Sequence, residues 1–221
     1  MALSLTYITT LSSATDASTY NFGNVTAASD GLLICVVVSR SASSTSVSSV
    51  SIGGTNGTIA VQNTSVNNAA AIATRAVSAG AHNVTVNFGA TMVRCGCGVY
   101  LLTGYNSETP VDTDVGQASG ATSNARVMTL DFPTNGVAVY GNFHGITDVT
   151  AWSAATEDYD ASPESNARFS FAHKTASGAG NTETASWATL INDCGVAAVW
   201  QESTGGTTTP WYYMAQQRVV G

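Results

Sequence analysis

The stretch TMVRCGCGVYLLTG, residues 91–104, is the longest apolar run carrying a single charge, and its alternation splits it into two faces. Val93, Cys95, Cys97, Val99 and Leu101 fall on one side; Met92, Arg94, Gly96, Gly98, Tyr100 and Leu102 fall on the other. In a helix the two glycines would cost about 1 kcal/mol each relative to alanine. In a strand they leave a bare lane that a neighbouring aromatic ring or backbone can occupy. Apolar residues on both faces predict a central strand buried on both sides.

The same double burial recurs at 32–40 (LLICVVVSR), which follows a turn at Asp30-Gly31. Residues 3–11, 19–25 (with Tyr20 and Phe22 on one face), 47–52, 58–63 and 83–88 read as further strands. Gly53-Gly54 reads as a turn and 64–68 as a polar loop. Residues 67–79 have the strongest helical propensity in the chain, yet Ala70, Ile72, Thr74 and Ala76 align at period two and predict a strand.

Beyond residue 104 the pattern restarts. Residues 126–132 (RVMTLDF) take the role of 19–25, an Asn135-Gly136 turn leads into 137–143, and 149–152 follow as 47–52 did. Residues 167–171 and 183–187 alternate, and 194–200 (CGVAAVW) echo 97–101. Matching elements lie roughly 100 residues apart, a spacing that suits a duplicated half and not a solenoid repeat. About five strands per half, two of them apolar on both faces, cannot cover their own core. The expected fold is all-β: a single antiparallel β-sandwich, jelly-roll-like, built from two sequence-related halves at about 1–104 and 124–204, with a C-terminal arm at 205–221. Its expected core includes Cys35, Val93, Cys95, Cys97, Val99, Leu101, Val196 and Trp200.

Charged residues make up only 10% of the 221, and Ser, Thr, Asn and Gly carry the polarity instead, as suits turns and strand surfaces. The net charge is −7, and the cations, Lys174 and six arginines, are scattered. Phosphate binding needs them clustered, so no nucleic-acid partner is expected. No apolar run approaches the roughly 18 residues of a membrane span, and the first residues lack the charge and apolar core of a secretory signal. Synthesis in the cytoplasm, without membrane insertion, is the expectation.

The four cysteines, Cys35, Cys95, Cys97 and Cys194, sit inside apolar runs and read as small buried hydrophobes. His82, His144 and His173 are isolated, without metal-ligand spacing. Two acidic groups remain. Glu157, Asp158 and Asp160, with Glu164 nearby, crowd one stretch around Tyr159 (TEDYDASPES); Glu108, Asp112 and Asp114 form a looser set. The first reads as a solvated loop, with Ca²⁺ binding and carboxylate-pair glycoside hydrolysis as its chemical alternatives. In the arm, Trp211, Tyr212, Tyr213 and Met214 follow a Gly-Gly and Thr-rich spacer, which makes them candidate partner-binding residues, since aromatics concentrate at interface cores.

SSVSIGG at 48–54, VRCGCGVYLLTG at 93–104 and WSAATEDYD at 152–160 resemble segments of β-sandwich virion structural proteins of tailed bacteriophages. Cys95 and Cys97 depart from the small or apolar residues that the resemblance implies there. The resemblance implies a non-enzymatic protein exposed on the virion surface, self-associated as a homo-oligomer, with a trimer as one expected form, and in contact with other virion proteins. Capsid decoration is the first expectation within that class. A tail-tip or fibre module that binds a host receptor or surface glycan, with Tyr159 on an exposed loop, is the alternative, and a carbohydrate-active enzyme using Glu157 and Asp158 the second.

Overall fold

In the computed structural model, which describes residues 2–41, 44–116, 122–164 and 166–203, the fold is all-β. The first half runs β1 (Ser4–Ser13), β2 (Ala17–Ala27), β3 (Gly31–Ser41), β4 (Val47–Ile52), β5 (Thr55–Asn56), β6 (Thr58–Ser65), β7 (Asn68–Val77) and β8 (Gly80–Thr103). The second runs β9 (Asp112–Asp114), β10 (Ser123–His144), β11 (Ala151–Trp152), β12 (Thr156–Glu164), β13 (Ala167–Ile191) and β14 (Asp193–Trp200). Every ladder is antiparallel, and among the described residues each half forms its own sheet.

β8 carries the run at 91–104 and also absorbs 83–88, expected as a separate strand. Its C-terminal part lies between β1 and β3, pairing Cys97 with Leu11 and Val99 with Cys35. Its N-terminal part lies between β2 and β4, pairing Val86 with both Tyr20 and Val50. One strand thus passes through two layers. β1-β8-β3-β7 form one layer and β2-β8-β4-β5 the other, which is the strand order of a jelly roll. The second half repeats it: β9-β14-β10-β13 in one layer, and β10 and β13 running on into a second layer edged by β11.

The passage between layers corrects one core expectation. Arg40 pairs with Arg94 and Ser41 with Met92, so Val93 is an extra residue in a β-bulge. The bulge bends β8 and shifts its side-chain parity. Met92 therefore joins Cys95 in the core, and Val93 is only half-buried.

The Asn135-Gly136 turn is also corrected. Asn135 has a φ of 55°, as expected of that signal, but β10 runs straight on, with Phe132 opposite Gly178 and Gly136 opposite Ala176. A two-residue hairpin of type I′ needs φ > 0 at both central residues, and only the asparagine adopts it. The result is a bulge of residues 133–135.

Gly53-Gly54 does make such a hairpin. Their φ values are 59° and 77°, and Ile52 pairs with Thr55 across them. A Cβ on Gly53 would also stand 3.0 Å from His82 Nδ1 and 3.2 Å from Arg75 Nη1. Gly53→Ala is expected to lower stability by about 1–2 kcal/mol, read as a fall in the urea midpoint with an unchanged slope.

Three cores result. One lies between the layers of the first half and contains Cys35, Cys95, Cys97, Val99 and Leu101. A smaller one lies inside the second half around Met128, Leu130, Tyr140 and Val199. The third joins the halves, combining Ile34, Val36, Ile72 and Tyr100 with Phe143, Phe169, Phe171, Val196 and Trp200. The bare lane on β8 is filled there: a Cβ on Gly96 would stand 2.5 Å from the Phe169 ring, and one on Gly98 2.8 Å from that of Phe171. Val36 lies in the same way over Gly141 of β10. Polar ties complete the joint: Arg40 Nη1 donates to the Asn166 carbonyl at 2.6 Å and Ser65 Oγ to that of Asp193 at 3.0 Å.

The echo of 97–101 in 194–200 does not hold by face. Cys97 points into the first half's own core, whereas Cys194 points into the shared one. All four thiols are free and buried.

Candidate functional site

The acidic stretch around Tyr159 is strand β12 and not a solvated loop. It hydrogen-bonds along β13, with Glu157 opposite Ala172 and Asp160 opposite Ser170, and Asp158 lies at a register shift between them. Three of its four carboxylates are held by cations or donors from other strands. Asp160 forms an ion pair with Arg168 and accepts from the Thr150 amide at 3.1 Å. Glu164 pairs with Arg94 of the first half. Asp158 accepts from the Tyr100 hydroxyl at 2.9 Å and from His173 Nδ1 at 2.8 Å. Glu157 lies exposed. Among the described residues no three His, Cys, Asp or Glu side chains gather as a metal-holding group. Tyr159 packs against Phe171, ring centroids 6.1 Å apart, at the margin of the shared core and not on an exposed loop.

The looser acidic set has a local use. Asp112 accepts from the Asp131 amide at 2.7 Å and Asp114 from the Thr129 amide at 2.6 Å, so short β9 fastens the N-terminal part of β10. The Glu108 carbonyl accepts from Trp200 Nε1 at 3.2 Å.

Asp158 and His173 lead to a surface cleft where the halves meet, with a volume of about 450 Å³. Leu3, which precedes β1, and Leu5 of β1 line one wall; Asn135 from the β10 bulge, His173 and Thr175 from β13, and Glu202 after β14 are among the other lining residues. The imidazole is a third exposed while its Asp158 partner is almost fully buried. The hydrogen bond that His173 donates to Asp158 raises the imidazole pKa above the ordinary histidine value, against the opposing effect of burial. With Nδ1 engaged, Nε2 is the ring's open position. Tyr100, itself in tilted contact with Tyr7 at 5.4 Å, holds Asp158 from the other half, so the ring orientation depends on both halves.

None of the cleft's polar residues was singled out as a site in the sequence. The available signal was the stripe Phe169, Phe171, His173, Thr175 at period two: two core aromatics followed by two polar residues mark where the shared core opens to water.

A second polar concentration lies inside the second half. Arg126 and Asp193 form a buried ion pair, and Glu183, fully buried, accepts from Lys174 Nζ at 3.2 Å and Ser153 Oγ at 2.8 Å. His144 stacks on Trp187 at 4.6 Å and its Nε2 lies 3.1 Å from Thr150 Oγ1. Burial pushes its pKa down to about 4; Asp160 and Asp148 oppose that shift and Arg168 adds to it. The matching interior of the first half is hydrophobic and thiol-lined. Compared with family models, with curated proteins and with solved structures, the chain matches none.

The candidate partner-binding residues Trp211, Tyr212, Tyr213 and Met214 lie outside the described residues.

Proposed function

We propose that the protein is a non-enzymatic structural component of a tailed-phage virion, displayed on the capsid surface as a decoration protein. The observation that carries this reading is the joint between the halves, where Phe169 and Phe171 seat against bare glycine backbone and two jelly rolls share one core. A close-packed joint with a weakly charged, hydroxyl- and amide-rich skin suits a part that sits on a particle and faces solvent. The motif resemblance at 48–54, 93–104 and 152–160 points the same way. The aromatic residues at 211–214 would supply contact with a second copy or with another virion protein.

Electron microscopy of virions labelled with antibody against this chain tests the reading. Label distributed over the head is the expected result. Label confined to the tail would replace decoration by the receptor- or glycan-binding alternative, and absence of the chain from purified particles would overturn the virion assignment altogether.

A further inference from the structure

We infer that the cleft between the halves is a binding site for a neutral, hydroxyl-rich ligand, of the size of one or two sugar rings. The inference does not depend on where in a virion the protein sits. It begins with size: about 450 Å³ falls within the range of small-ligand sites. It continues with chemistry. Leu3 and Leu5 offer an apolar wall to the C–H face of a pyranose, while Asn135, His173, Thr175 and Glu202 add polar groups to the lining.

Each of those four groups matches a hydroxyl, which both donates and accepts. Glu202 accepts only. Asn135 and Thr175 do both. His173 Nε2 accepts when the ring is neutral, with the proton on Nδ1 toward Asp158, and donates when the ring is charged. A simple cation could use the glutamate but not a protonated imidazole, and an anion would meet the reverse conflict. Hydroxyls satisfy the cleft in either state.

The site is also preorganised. Asp158, nearly buried and tied to Tyr100, fixes the imidazole, and the bulge at 133–135 holds Asn135 at its positive φ. Groups fixed before binding lose less freedom on binding.

The test is an NMR titration of the full chain with glucose, galactose, mannose, N-acetylglucosamine and lactose, following the imidazole signals of His173 and of buried His144. At least one sugar is expected to shift His173 saturably at about millimolar affinity while leaving His144 unmoved. Glu202→Gln, at a side chain that makes no hydrogen bond or ion pair among the described residues, is expected to weaken that binding at least tenfold with the unfolding transition unchanged. Failure of all five sugars to produce a saturable shift overturns the inference, as does equal affinity of the variant. Saturable binding of methylammonium in place of every sugar also overturns it, and reassigns the cleft to cations.

Discussion

Phe171→Ala is expected to destabilise the protein by about 3–5 kcal/mol, the range for an aromatic ring removed from a packed core. The ring is fully buried and lies directly on Gly98, so its loss opens a void at the joint of both halves. The partner substitution makes the claim specific. In the intact protein a Cβ at 98 would stand 2.8 Å from the ring, so Gly98→Ala must displace it and is expected to cost about 1–3 kcal/mol. In the Phe171→Ala background the same methyl enters free space and is expected to cost little or to stabilise. A double-mutant cycle by urea unfolding reads the coupling. Equal cost of Gly98→Ala in both backgrounds would mean that the ring does not seat on the glycine.

Acid should weaken the fold through His144. Its folded pKa of about 4 lies below the unfolded value of 6.5, so the neutral ring is the native form. The associated stability is complete above pH 6.5, is lost as pH falls toward 4, and amounts to about 3 kcal/mol across that interval. His173 works in the opposite sense: its pKa is raised, so its contribution is complete below 6.5 and is lost as pH rises through the folded value. Carboxylates titrate over part of the acid range too, so the decisive quantity is the difference between wild type and His144→Phe, which keeps a ring against Trp187 and removes the titration. The variant is expected to lose about 3 kcal/mol less than wild type between pH 7 and pH 4. Parallel curves would show that His144 does not carry the acid response.

The fold was legible where one strand's own pattern contained the answer. Alternation at 91–104 announced two buried faces, and two glycines on one of them announced a ring or a backbone to cover them, though not which of the two. Alignment of Ala70 and Ile72 outweighed the helical propensity of the alanine run. Reading failed where the outcome depended on a partner strand. The carboxylates of β12 look like a water-loving loop until Arg168, His173, Arg94 and Tyr100 arrive from elsewhere. Asn135-Gly136 was read as a turn, but whether an asparagine at positive φ closes a hairpin or a bulge depends on whether the neighbour stays the same on both sides, and β13 does. Val93 was misassigned because parity counting assumes an uninterrupted pleat.

Since among the described residues no ladder pairs a strand of one half with a strand of the other, twin copies of one such unit stacked face to face would give the same order of layers. Fusing the twins releases each from having to serve both roles with one set of residues. One interior can then stay oily and hold the molecule together while the other drifts toward ions and imidazole, a divergence that a symmetric pair of identical subunits could not make.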